Sequence, residues 1–276
     1  MASSLPPLVQ PRATPAPPPA DYPSTPAFTP SPRFLVALAS FRAMHLSDPA
    51  AAGSAADAPA GTPSLEYHST LESYTRKLSA LSTVDAVRRG PGEALLLAAN
   101  SQHIRRWEKP RKDWPEGLSG YKTWRTALNK FHADIAHDVM RQAGYLEDSE
   151  EDAALFARVR DLLLKRTLMR PPLPAREDEL RDPEAHLFED AICLTFLSLE
   201  FTSFSTSYIA PTATADDRAT APSAEEAAAR RDKLVTIVRK TWSKMGPLGR
   251  DVAVRELVGA LGEKERQVVL DAVAQA

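Results

Sequence analysis

Three side chains that can bind a metal ion or carry a proton occupy inward-facing positions of predicted helices. His103 and His132 recur with apolar residues at the spacing of a buried helix face. Asp190 interrupts a stripe whose other members are apolar: Leu187, Leu194, Leu197, Phe201 and Phe204. Because a buried carboxylate is costly unless its charge is balanced, Asp190 must have a partner inside the fold.

These three residues predict a metal site or an acid/base site. Neutral imidazoles and a carboxylate suit a divalent transition metal, and helical bundles build such sites from separate helices. We therefore predict one divalent metal ion, of unspecified identity, held by His103, His132 and Asp190, which are also the predicted catalytic residues. Satisfied core histidines, and a buried ion pair between Asp190 and an arginine, are the structural alternatives.

A basic segment rich in tryptophan lies beside these candidates. Residues 101–130 contain eight basic and three acidic residues, together with three of the four tryptophans. Guanidinium groups suit phosphate, so the predicted substrate-binding residues are Arg105, Arg106, Arg111 and Arg125, with Lys165 from a later helix. The predicted ligand is a small phosphorylated molecule or a nucleotide. A solvated loop anchored by its tryptophans, and single-stranded RNA binding, are the alternatives.

The elements that must position these residues are all helical. Helix periodicity and capping residues predict helices over 32–44, 66–82, 92–107, 119–143, 149–169, 182–204 and 223–244, followed by two short helices divided at Gly262. No convincing strand alternation occurs. The sequence predicts an all-α, single-domain bundle of eight or nine helices over residues 32–276.

Low-complexity stretches flank and interrupt this predicted bundle. Eleven of the 24 prolines fall in residues 1–32, so residues 1–31 are predicted to be a disordered tail. Stretches 48–63, 170–182 and 205–224 are predicted to be loop insertions on the one domain.

Composition excludes several classes of protein. The formal charge of -2 disfavours a surface that binds polyanions throughout, and the single cysteine excludes an internal disulfide and a cysteine zinc cluster. No apolar run reaches the length of a membrane helix, so no membrane partner is expected. The predicted location is cytoplasmic. Arg12 and Arg33 leave a mitochondrial presequence open, although the prolines disfavour its amphipathic helix.

Part of the chain resembles a domain-of-unknown-function family whose members are often labelled glutamyl-tRNA synthetase. The matching blocks are Ala99 to Trp107, Gly120-Tyr121, Trp124-Arg125, Phe131 to Ala133, and Leu187 to Leu197. The synthetase label conflicts with the residues, because the chain has neither an H-I-G-H nor a K-M-S-K-S string and no Rossmann-type strand pattern. The resemblance therefore predicts a family but no synthetase activity.

A looser resemblance is to the HD-type metal-dependent phosphohydrolases, which are all-helical. The order of one histidine, a second histidine and a late aspartate is similar, and the resemblance implies that His103, His132 and Asp190 hold the metal that activates water against a phosphate ester. Ala133 follows His132 where that family has an aspartate. A non-catalytic helical binding module and an RNA-binding protein remain the alternatives to a hydrolase.

Overall fold

The computed structural model describes residues 28–50, 62–209 and 223–274, and within these ranges the chain forms eleven α-helices and no strand. The helices are α1 Pro32–Leu46, α2 Pro63–Leu81, α3 Asp85–Arg88, α4 Glu93–Ala99, α5 Gly117–Gln142, α6 Glu150–Leu164, α7 Pro183–Thr195, α8 Phe201–Ile209, α9 Ala224–Lys244, α10 Pro247–Val252 and α11 Glu263–Ala274. Their apolar faces meet in one core cluster. This confirms the all-α bundle, with more helices than predicted. None of the described helices has the length and apolar character needed to cross a bilayer.

Four predicted helix starts are confirmed by their capping hydrogen bonds. The side chains of Ser31, Ser149, Asp182 and Ser223 each accept a hydrogen bond from a backbone N–H in the first turn of their helix. Ser223 also forms a reciprocal capping box with Glu226. These starts can be predicted because a cap is a local interaction between residues three apart.

The predicted helix 92–107 is wrong beyond Ala99. Helix α4 ends there because the side chains of Asn100 and Ser101 donate hydrogen bonds to the carbonyls of Leu96 and Leu97, in competition with the helical pattern. The chain then turns, and Arg105 adopts a left-handed conformation with φ of 50°. The buried helix face that was predicted to carry His103 therefore does not exist, although His103 still faces inward.

Other boundaries also differ from prediction, among them the start of α2, which lies at Pro63 instead of residue 66. Helix α6 ends at Leu164, five residues early, because Lys165 takes a left-handed conformation and Arg166 N–H bonds back to the Asp161 carbonyl. Residues 205–209 belong to α8 and Ala224 to α9, so the predicted insertion 205–224 is shorter than expected.

The other predicted loops are described in part. Residues 170–182 connect α6 to α7 and contain one short 3-10 helix, Glu177–Glu179. Residues 1–27 of the predicted tail, and residues 51–61 and 210–222 of the insertions, lie outside the described residues. Phe28, inside the predicted tail, contacts Phe34 edge to face with ring centroids 4.9 Å apart.

A buried aspartate ties α1 to the start of α6. The Oδ2 atom of Asp152 accepts hydrogen bonds from Arg33 Nη1 at 2.7 Å and from Leu146 N at 2.8 Å. The Arg33 guanidinium also lies over the Tyr145 ring, 4.3 Å from its centroid. Because the carboxylate is buried, both donors depend on it for their hydrogen bonds.

We expect Asp152→Ala to lower the free energy of unfolding by about 2 kcal/mol, since it leaves a buried N–H and a guanidinium without their acceptor. Urea denaturation measures the loss. The matched control is Asp178→Ala, whose exposed pair with Arg176 contributes little. Equal stability of the two variants would contradict the assignment.

Candidate functional site

Four histidines from four parts of the chain form a continuous cluster, here called the histidine cluster: His45 on α1, His68 on α2, His103 after α4, and His132 on α5. The rings of His45 and His68 are stacked with centroids 3.7 Å apart, and those of His103 and His132 are 5.7 Å apart. The backbone N–H of His103 donates to His68 Nε2 at 3.3 Å, which joins the two pairs.

Hydrogen bonds fix the first two histidines as neutral rings. His68 Nδ1 lies 2.6 Å from the Ser64 carbonyl and must donate to it, so Nε2 is free to accept from His103. His45 Nε2 donates to the Asn100 carbonyl at 2.9 Å, and its Nδ1 accepts from Ser64 Oγ. A second proton on either ring would remove an acceptor and place a charge in a stacked, buried pair.

A cavity of about 230 Å³ opens beside the cluster and is here called the histidine cavity. Its lining includes Asp48, Ser64, Tyr67, His68, His103, Arg106, Trp107 and Glu200. The Tyr67 ring stacks on His103 with centroids 4.8 Å apart. Buried polar atoms of Tyr67 (Oη), Gln102 (Oε1) and His132 (Nε2) have no hydrogen-bond partner among the described residues. Of these three residues, Tyr67 is the one that lines the cavity, so its hydroxyl is the unpartnered atom placed nearest to a ligand there.

Arg106 is the cation of the cavity. Its Nη1 atom lies 3.4 Å from both ring nitrogens of His103, which places the guanidinium over the imidazole instead of in line with one nitrogen. It also lies 5.4 Å from the centroid of the Trp124 ring. Within the described ranges no carboxylate comes within 4.0 Å of Arg106 or Arg125, so neither charge is neutralised by an ion pair.

Local irregularities of the backbone place Arg106 and Glu200, whose charges act on each other, in the lining of the cavity. Arg106 follows the left-handed residue Arg105, and Glu200 ends the π-helical segment Phe196–Glu200 between α7 and α8. A π turn inserts an extra residue and rotates the next residues about the helix axis, and such segments are frequent at functional sites. Glu200 lines the cavity and keeps part of its side chain in solvent.

The electrostatics of the cluster follow from its burial. Burial lowers the pKa of His45 to about 4 and that of His132 to about 3, and it places the pKa values of His68 and His103 well below the ordinary value. The positive charges of Arg106 and Arg125 lower the pKa values of His103 and His132 further. Burial, followed by the neighbouring Arg125, also lowers the pKa of Arg106.

Asp190 has a structural partner that the sequence did not reveal. Its two carboxylate oxygens accept hydrogen bonds from Gly246 N at 2.7 Å and Gly249 N at 3.1 Å, so it caps α10 from a distant helix. Burial raises its pKa to about 8, although the two N–H donors oppose that shift. The predicted alternative of a buried arginine partner is therefore wrong.

The predicted metal ligands do not meet. In the described part of the chain, no group of three or more His, Cys, Asp or Glu side chains is placed to hold a metal ion. Both oxygens of Asp190 are engaged by backbone amides, and the ionisable groups that act on His103 are those of Arg106, His132, His68 and Arg125. The structure therefore does not bring His103, His132 and Asp190 together as one set of ligands, and the divalent metal ion stays a prediction.

Of the predicted substrate-binding residues, Arg106 lines the cavity and Arg125 acts on it through its charge. The others are engaged elsewhere. Arg105 pairs with Glu108 at 2.5 Å, Arg111 donates to the Trp114 carbonyl at 2.9 Å, and Lys165 forms an ion pair with the buried Glu189. Lys165 thus pairs with Glu189 and is not in the lining of the cavity.

Sequence reasoning missed His45, His68, Tyr67 and Glu200. His68 stands three residues before Leu71 and six before Tyr74, on the buried face of α2, so the apolar pattern could have marked it. Glu200 carried no such signal, because a π segment changes which residues share a face.

Comparison with known proteins adds one finding. Over residues 36–269 the chain matches a family described as a domain of unknown function, DUF4202. The chain belongs to this family. The lining of the histidine cavity, from Asp48 to Glu200, lies within the DUF4202 region. No curated protein and no solved structure matches the chain. The predicted resemblance to a domain-of-unknown-function family is thus confirmed, and the HD resemblance stays a prediction.

We expect Asp190→Asn to destabilise the DUF4202 domain by about 2 kcal/mol, because an amide can accept only one of the two N–H groups that cap α10. Gly249→Ala should also destabilise it, since a Cβ at this position would lie less than 3 Å from the Asp190 side chain. Gly259→Ala is the control, with no atom within 4 Å of its added Cβ. Thermal denaturation that shows all three variants equal to wild type would disprove the cap.

The histidine cluster predicts loss of stability at mildly acidic pH. The unfolded chain binds protons on these histidines near pH 6.5, whereas the folded state keeps them neutral, so the free energy of unfolding falls as the pH drops below that value. Each histidine contributes up to about 1.4 kcal/mol per pH unit. Urea denaturation between about pH 7.5 and 5.5 measures the slope, which should decrease in His132→Asn. The raised pKa of Asp190 adds a slope of opposite sign over this range, so the result that would contradict the neutral cluster is an equal slope in wild type and His132→Asn.

Proposed function

We propose that the histidine cavity binds a small phosphorylated molecule and that the protein hydrolyses its phosphate ester. The observation that carries this proposal is the Arg106 guanidinium, which lines the cavity without a carboxylate within 4.0 Å among the described residues. An unpaired, largely buried guanidinium is a strong site for phosphate, to which it can donate two parallel hydrogen bonds.

The neighbouring groups add to this anion site. Arg125 supplies a second positive charge that acts on His103 in the cavity wall, and the Oη atom of Tyr67, which also lines the cavity, has no hydrogen-bond partner among the described residues. A phosphate brings negative charge that offsets the mutual repulsion of Arg106 and Arg125, one cause of the lowered pKa of Arg106. The two guanidinium groups are therefore electrostatically better matched when an anion is bound.

The chemistry assigned to this site is general acid/base catalysis. In hydrolysis a water oxygen attacks phosphorus, the bond from phosphorus to the alcohol oxygen breaks, and the proton lost by water must reach the departing alcohol. Neutral His103 is suited to accept and return that proton, because bound phosphate raises the low pKa of the ring toward the working pH. Arg106 stabilises charge on the phosphoryl oxygens.

Binding without hydrolysis is the second candidate. It is favoured by one observation: two buried acids of α7 are already engaged, Glu189 by Lys165 and Asp190 by the cap of α10. Neither is therefore free to act as a catalytic carboxylate. The RNA alternative stays a prediction. The tryptophan segment is fastened internally, since buried Trp124 donates to the Lys109 carbonyl at 2.8 Å and Trp107 lines the cavity.

We expect inorganic phosphate to bind wild-type protein and to bind Arg106→Gln at least about tenfold more weakly, because one charge-assisted contact is lost. Calorimetric titration measures both. Arg105→Gln is the matched control, since its guanidinium pairs with Glu108 instead of lining the cavity. Equal losses in the two variants would overturn the assigned site.

Sulfate does not titrate near neutral pH, so its binding tests whether His103 takes up a proton when an anion is bound. We expect sulfate binding to be accompanied by proton uptake at about pH 6.5, measured by titration in buffers of different ionisation enthalpy, and the uptake to decrease in His103→Gln. Release of inorganic phosphate from ethyl phosphate then separates the two candidates. Turnover supports hydrolysis, whereas binding with no turnover leaves the binding module.

A further inference from the structure

The lining of the histidine cavity carries charges of both signs. Arg106, Glu200 and Asp48 all line it, and Arg106 and Glu200 act on each other through their charges without forming an ion pair within 4.0 Å among the described residues. Neither carboxylate has a lysine or arginine nitrogen within 4.0 Å in the ranges that the structure describes, and the one hydrogen bond to the Asp48 side chain comes from Ala50 N at 2.9 Å. A simple phosphate would meet Arg106 but would leave two carboxylates facing a bound anion.

We propose that the natural ligand is a zwitterion: a short phosphate monoester that also carries an ammonium group. This rests on the proposed function and names its substrate class. The phosphate binds Arg106, and the ammonium group lies between Glu200 and Asp48. An amino alcohol phosphate pairs its phosphate with Arg106 and its ammonium group with the two acids. A polyol phosphate also pairs with Arg106 but offers the acids only hydrogen bonds from its hydroxyl groups.

The aromatic lining supports an ammonium group. Tyr67 and Trp107 line the same cavity as the two acids, and aromatic faces attract cations that have lost part of their hydration. The Tyr67 face toward His103 is occupied by the stacked imidazole, so Trp107 is the ring more open to a ligand. A charged nitrogen thus has two carboxylates and an aromatic face available to it.

The volume of the cavity limits the size of the ligand. Its volume of about 230 Å³ is below the range of about 300–1,000 Å³ that is usual for drug-sized ligands. An aminoethyl or aminopropyl phosphate fits such a volume. A complete nucleotide is too large for the cavity and would have to extend through its opening into solvent.

The experiment compares three probes that share the phosphate: ethanolamine phosphate, ethyl phosphate and glycerol phosphate. Calorimetric titration should show ethanolamine phosphate binding at least about tenfold more tightly than ethyl phosphate, as expected for one partly desolvated ion pair. Glu200→Gln should reduce this preference to less than about threefold and improve the affinity for ethyl phosphate, because it removes one carboxylate that faces the phosphate. Asp48→Asn should also reduce the preference for ethanolamine phosphate, and it keeps the oxygen that accepts a hydrogen bond from Ala50 N.

Each outcome decides between the two proposals. Equal binding of the three probes, or a preference that survives Glu200→Gln and Asp48→Asn together, overturns the zwitterion and leaves phosphate binding intact. Tightest binding of glycerol phosphate assigns the acids to hydroxyl groups and also overturns it. If no probe binds, or if Arg106→Gln changes nothing, the proposed function itself fails. Glu225→Gln, on the exposed face of α9, is the matched control for loss of a surface carboxylate.

Discussion

A buried imidazole must satisfy two ring nitrogens while carrying a single proton, and this constraint shapes the centre of the protein. His45 and His68 meet it with fixed donors and acceptors: two backbone carbonyls, one hydroxyl and the N–H of His103. Because the rings lie on α1 and α2 and their partners lie on α2 and in the turn after α4, the neutral rings hold three parts of the chain together. The position of His103, and with it the wall of the cavity, depends on this arrangement.

The buried acids have a different task. Asp190 caps α10, Glu189 holds Lys165 at the end of α6, and Asp152 joins α1 to the start of α6. Each carboxylate is balanced where it lies, by amide N–H groups or by one cation. Scaffold and candidate site thus use different groups: the balanced acids fix helix ends, and the unbalanced charges of Arg106 and Glu200 line the cavity.

Irregular backbone connects the scaffold to the site. The left-handed Arg105 redirects the chain so that Arg106 follows at the cavity, and the π segment ending at Glu200 changes the face that this residue presents. Both conformations are less favourable than regular helix and persist only where surrounding contacts hold them. The flanking helix α4, buried over Ala94–Ala99, provides that rigid surrounding on one side.

The sequence by itself determined the all-helical fold, the caps at Ser31, Ser149, Asp182 and Ser223, and the inward position of His132, because these depend on residues within one or two turns of each other. Tertiary structure decided the rest. The end of α4 depends on competing side chains and on His68, thirty-five residues from His103, and Asp190 meets its partners fifty-six residues away or more. Which titratable groups converge, and which are already paired, is set by contacts between helices and has no signature in local spacing.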